Sequence, residues 1–156
     1  MVSHQRGLGI NYWITTGNEA DISVSEAIQF LAEDEKVHTI MAYVESVKDG
    51  KMFTKALDTA RHEKKPVILM KVGRSDVGAA AANSHTASLA GEDAIYSEVM
   101  RAHGAYRVRS TEEMLDVAYA TKPRIYPSGK NLGIVTISGG GGVLMADAAY
   151  DEGLNL

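Results

Sequence analysis

Imidazole is the side chain best suited to nucleophilic work near neutral pH, because a useful fraction of it is unprotonated there. The chain has five histidines. His4 lies in a polar start and His62 in the charged stretch ARHEKK, where both are expected to be solvated. His38 opens a strand-like run, and His103 ends a helix-like one, where positive charge suits the helix dipole. His85 differs. Its setting, ANSHTASLAG (82–91), surrounds one imidazole with small residues and with the hydroxyls of Ser84, Thr86 and Ser88. A packed core would want larger neighbours, and a solvated turn would be more polar. The segment follows the apolar run PVILMKV, so it leaves the carboxyl end of a strand, where open α/β sheets bind ligands. The setting alone leaves a structural and a functional role both open.

A second candidate is SGGGG (138–142), between a strand-like and a helix-like run. Consecutive glycines let backbone N–H groups approach an anion, and a helix N-terminus adds a favourable dipole. The pattern is neither a P-loop, which needs a lysine after its last glycine, nor a full GxGxxG fingerprint. A plain βα turn accounts for it equally well. Third is Glu45, which ends the strand-like run VHTIMAYV. Parallel strands place their carboxyl ends on one edge, so Glu45 is expected on the same edge as the His85 loop. A carboxylate there could fix an imidazole tautomer or simply be solvated. The same edge receives Gly17, Asn18 and Asp21. Lys71 and Arg74 could attract an anion there or pair with carboxylates.

These residues need elements to hold them, and the sequence supplies an alternation. Runs 9–16, 37–44, 66–72 and 105–108 read as strands from their β-branched and apolar content. Between them, Ser23 with Glu26 marks a capping box for a helix bearing Val24, Ala27, Ile28 and Leu31 on one face. Residues 50–64 carry Phe53, Ala56, Leu57 and Ala60 at helical spacing. Another helix is expected from Glu92 to about Ala102, with Gly104 as its C-cap, and a last one after Ser110 and Glu113. Alternating strands and helices imply an α/β fold: a flavodoxin-like parallel sheet with helices on both faces. We assign residues 1–122 to this domain and 123–130, with two of the three prolines, to a linker. Residues 131–156 read as the opening strand, glycine loop and helix of a following flavodoxin-like domain, cut short of a closed core.

Composition bounds the function. At 45% apolar and 23% charged residues the chain is in the globular range. A net charge of −4 and the absence of a long basic run argue against nucleic acid. The chain contains no cysteine, which removes disulfides, thiol nucleophiles and cysteine metal sites and fits a cytoplasmic protein. No apolar run approaches a membrane span, and no signal-peptide pattern opens the chain.

GLGINYWITTGNEADIS, YVESVKDGKMF, KKPVILMKVGRS, ANSHTASLAGED and IVTISGGGGVLMAD occur in that order. Together they resemble the nucleoside-diphosphate-forming acyl-CoA synthetases, the superfamily of succinyl-CoA synthetase and the ADP-forming acetate–CoA ligases. The resemblance implies that His85 is a phosphoryl carrier between an acyl phosphate and ADP/ATP, with Glu45 as its carboxylate partner. It implies that Gly139, Gly140, Gly141 and Gly142 cradle the phosphoryl group at a helix N-terminus, with no metal site in this chain. The expected substrates and cofactors are CoA, ATP or ADP with Mg2+, and a small carboxylic acid. The expected partners are CoA-binding and nucleotide-binding domains or subunits, and a second phosphate helix upstream of residue 1. Such a chain is expected to be inactive alone. Ala87 stands where the family has glycine, and Gly141 where it more often has proline. Two other readings are a non-catalytic, ligase-like module that senses a ligand, and a flavodoxin-like domain for an unrelated phosphorylated ligand; the latter rests on fold analogy alone.

Overall fold

The computed structural model describes residues 7–75, 78 and 93–156. The His85 segment and His4 lie outside the described residues. Two compact units divide at residues 123 and 124.

In the first unit, the elements in chain order are α1 (Val24–Glu33), β1 (Ile40–Val44), α2 (Gly50–His62), β2 (Val67–Lys71), α3 (Asp93–Ala102), β3 (Tyr106–Val108) and α4 (Thr111–Thr121). The strands form a parallel sheet in the order β1-β2-β3, with Val44 opposite Lys71 and Met70 opposite Val108. Every residue of the central strand β2 is buried. Its alternate side chains feed two cores, because successive residues of a strand point to opposite faces. Val67 and Leu69 join Ile40 and Val44 under Ile28 and Ala32 of α1, Phe53, Ala56, Leu57 and Ala60 of α2, and Met100 of α3. Ile68, Met70 and Val108 pack on the other face with Leu8 and with Ala118 of α4. The parallel α/β sheet with helices on both faces is the fold expected.

The helices end where their caps say they should. Ser23 and Glu26 form the reciprocal capping box at α1, Asp49 accepts from Lys51 N and Met52 N at α2, and Ser110 accepts from Glu113 N at α4. Gly104 takes the left-handed conformation at φ 76°. Its N–H donates to Arg101 O, and that of Ala105 to Met100 O, the paired bonds of a Schellman ending. Lys64 plays the same part after α2 at φ 55°, without glycine's freedom.

Two expected strands are absent. Residues 9–16 run without pairing into the sheet; instead Asn11 Nδ2 donates to Lys36 O, Tyr12 donates to Asp34, and the Tyr12 ring meets Phe30 edge-on. Trp13 is left 71% exposed. In the second unit, residues 132–137 form no strand either. Asn131 and Asn155 make one isolated parallel bridge, and Val135 and Ile137 are fully exposed. The third correction concerns the glycines. They do not form a loop before the helix but are its first turn: α5 runs Gly139–Asp151, with Ser138 as N-cap.

Candidate functional site

Because the strands are parallel, Val44, Lys71 and Val108 bring the carboxyl ends of β1, β2 and β3 to one edge. A cleft of about 560 Å³ opens beside β1, lined by Thr15 to Glu19, Val24, Tyr43 to Ser46 and Lys48. Glu45 lies in its wall, directly after β1. One of its carboxylate oxygens, Oε2, is buried without a hydrogen-bond partner among the described residues. A buried carboxylate oxygen with no donor costs free energy until one arrives, on the order of 1–3 kcal/mol or more.

The facing wall is the turn at 16–19. Gly17 sits at φ 57° and Glu19 at φ 53°, a backbone state that glycine tolerates and glutamate enters at a cost. Glu19 N donates to Thr16 O at 3.0 Å, and Val24 N donates to Glu19 Oε1 at 3.0 Å, fixing the turn to the start of α1. Lys48 Nζ reaches across from the β1–α2 loop to the carbonyls of Asn18 and Glu19, at 2.5 and 3.0 Å. The second oxygen of Glu19, like that of Glu45, is buried without a partner among the described residues. Sequence reading passed over Glu19; the available signal was a glutamate directly after the turn-forming Gly-Asn pair. The cleft therefore has two carboxylate oxygens able to accept a hydrogen bond from an incoming donor. Asp21 and Arg74 are exposed, and neither lines the cleft.

At the carboxyl end of β2 lies a polar layer. Lys71, only 1% exposed, donates to the carbonyl of Val72 and lies 4.8 Å from the centre of the Tyr96 ring. Tyr96 accepts from Val47 N at 3.2 Å and so ties α3 to the loop after Glu45. Arg107 donates to the Asp93 carboxylate, to Ser97 and to the Asp93 carbonyl. Burial pushes the Lys71 ammonium below the ordinary lysine range; Asp93 pulls it back up, Arg107 adds to the lowering, and Glu45 opposes it.

His62 meets Glu63, and His103 Nδ1 lies 2.7 Å from Asp58 Oδ1. No group of three His, Asp or Glu side chains that could hold a metal occurs among the described residues, and no helix among them is long and apolar enough to cross a membrane.

In the second unit, Ser138 Oγ accepts from Gly141 N at 3.2 Å, and Ser138 O accepts from Gly142 N at 2.9 Å. Gly139 and Gly140 keep first-turn N–H groups with no intrahelical acceptor. A side chain at either position would meet nothing within 4 Å, whereas one at Gly142 would come within 3.2 Å of Thr136 Cγ2. A helix N-terminus of this kind suits an anion.

The succinyl-CoA ligase like flavodoxin domain matches residues 2–121. The chain is 41% identical over 149 residues to the alpha subunit of an ADP-forming acetate–CoA ligase I from Pyrococcus furiosus, covering 96% of this chain and 32% of that protein. It is 38% identical over 151 residues to an ADP-forming acetate–CoA ligase from Methanocaldococcus jannaschii, covering 96% of this chain and 21% of that one. Among solved structures it is similar to acetyl-coenzyme A synthetase 1 of Ca. Korarchaeum cryptofilum in complex with phosphate and ADP. The TM-score there is 0.83 at 34% identity, covering 92% of this chain and 31% of that one. The chain thus spans a third or less of the length of each.

Proposed function

The chain belongs to the succinyl-CoA ligase like flavodoxin domain family, and from that premise we propose that it carries the phosphohistidine of an ADP-forming acid–CoA ligase. The observation that carries the proposal is the match across nearly the whole chain to ADP-forming acetate–CoA ligases. His85 is the nucleophile. Its imidazole nitrogen attacks the phosphorus of an acyl phosphate, the carboxylic acid leaves, and the phosphoryl group then passes to ADP. Glu45 accepts the N–H of the far ring nitrogen, which fixes the tautomer and supports the charge that develops on the ring. A buried oxygen without a donor among the described residues suits that role.

Gly139 to Gly142 cradle the phosphoryl oxygens. The open first turn of α5, bare at Gly139 and Gly140, supports this assignment. CoA, the nucleotide and its Mg2+ are bound chiefly by other domains or subunits of the complete ligase. Mg2+ supplies neutralisation of the phosphate charge when bound. The substrate is a small carboxylic acid. Residues 1–122 form the phosphohistidine domain, 123–130 the linker and 131–156 the opening of the next domain, a division supported by the break between residues 123 and 124.

The test is phosphorylation of the complete ligase with γ-labelled ATP and Mg2+. The wild type is expected to take up an acid-labile, base-stable label that His85→Asn loses entirely. Absence of label in a wild type that binds nucleotide overturns the proposal and leaves a ligand-sensing module as the better reading.

A further inference from the structure

Among the described residues the sheet stops at β1, yet β1 is not built as an edge. Its sequence, IMAYV, carries neither the charge nor the proline that usually protects an exposed strand. Ile40 N donates to Pro66 O, and Val44 O accepts from Val72 N, both towards β2. Backbone groups alternate along a parallel strand, so Ala42 also faces β2 while Met41 and Tyr43 turn theirs outward. No described strand pairs with them there. Beside that edge stands the strand-like run 9–16, whose Thr15 and Thr16 line the same cleft as Tyr43 to Ser46. The run is fastened where it stands. Leu8 is buried in the second core, Asn11 Nδ2 donates to Lys36 O at 2.7 Å, and Lys48 holds the carbonyls of Asn18 and Glu19. Both flanks leave apolar side chains in water: Ile14 is 44% exposed and Tyr43 58%. Val24 of α1, only partly buried, lines the cleft as well. Outward backbone groups beside an apolar slot are a template for one more strand.

We propose that an extended segment of the complete ligase, N-terminal to residue 1, fills this slot as a strand parallel to β1. The direction follows from the described strands, which all pair in parallel. The place in the chain follows from connection lengths. Strands consecutive in sequence lie side by side about two-thirds of the time, yet β1, which follows 9–16, does not pair with it. The strand preceding 9–16 is then the one to stand beside it. Parallel strands need a crossover of roughly a dozen residues or more, and only residues 1–8 precede Gly9 here. The relatives leave room, since this chain covers 32% of the Pyrococcus furiosus subunit and 21% of the Methanocaldococcus jannaschii ligase. Core residues lie on both faces of the sheet, so the occupant is a continuous apolar run of about five residues, matching β1. Its carboxyl end emerges beside Glu45, and the residues after it complete the wall of the cleft. None of this depends on His85 or on phosphoryl transfer.

The experiment uses the complete ligase and residue-resolved deuterium exchange at Met41, Ala42 and Tyr43. With the strand in place, the three amides exchange within about tenfold of one another. Met41 and Tyr43 exchanging on the order of a hundredfold faster than Ala42 mark an open edge and overturn the inference. A benzophenone attached at Tyr43→Cys then identifies the occupant. The expected cross-link runs within one polypeptide, to an apolar peptide N-terminal to residue 1. A cross-link to residues 9–16, to a second copy or to another subunit overturns the inference, whatever the exchange shows. Should Tyr43→Cys fail to fold, the same label at Ile14→Cys, on the opposite flank, must reach the same upstream peptide. Phosphorylation of His85 is not measured, so failure of the relay and failure of the strand are separate results.

Discussion

Single side chains do two kinds of work in this chain. Glu26 shows the structural kind. The Ser23 backbone N–H and hydroxyl both donate to its carboxylate and hold it below the usual carboxylate range. A carboxylate depressed in the folded state adds stability above its unfolded pKa, about 4.3, and that contribution disappears as pH falls through the lower, folded value. Ser23→Ala should cost about 1 kcal/mol in thermal unfolding near neutral pH. It should also return the Glu26 titration, followed by NMR, towards the ordinary value; a Glu26 titration unmoved by the substitution would contradict the assignment. Glu45 is proposed for the other kind, and Glu19 shares its cleft. Each has a buried oxygen without a partner among the described residues. Glu45 was legible in the sequence because the end of a buried strand is a fixed place. Glu19 was not, because only the left-handed turn, a product of tertiary placement, swings it into the same cleft.

At the scale of elements, the two chain reversals after α2 and α3 have the same hydrogen bonds but different residues. Gly104 sits at φ 76° with Arg61 Cδ where a Cβ would be 3.3 Å away, so Gly104→Ala should cost about 1–2 kcal/mol. Lys64 holds the equivalent state with a side chain in place, so Lys64→Gly should be neutral or raise stability by up to about 1 kcal/mol. Gly104→Ala should lower the denaturant midpoint while Lys64→Gly leaves it unchanged or raises it; a midpoint lowered by both would remove φ as the cause. Helices were legible nearly to their ends because caps and the 3.6-residue period are local. Strands were less so. GINYWITT and LGIVTI have the β-branched and aromatic content of strands, yet neither enters the sheet. Content of that kind measures fitness for a pleated surface and says nothing of whether a neighbour is there to pair with. The glycine run misled in the opposite way: Ser138 caps a helix that begins on residues of poor helical propensity.

For the whole molecule, the chain between the two units is exposed from Lys122 through Gly133. Trypsin should therefore cut first after Arg124 or Lys130, leaving residues 7–75 and 93–123 of the first unit resistant there by mass spectrometry; early cuts inside α2 or β2 would contradict the division. Within that unit, β2 is bonded on both sides and covered on both faces, whereas the loop after Glu45 is tied to α3 at the Val47 amide by the Tyr96 phenol. Backbone amides thus keep time at two speeds. Deuterium enters the central strand only when the domain opens as a whole, but it can enter at Val47 whenever that phenol lets go. The Val47 amide is a natural clock for how often the wall of the cleft loosens, running beside a strand that hardly moves.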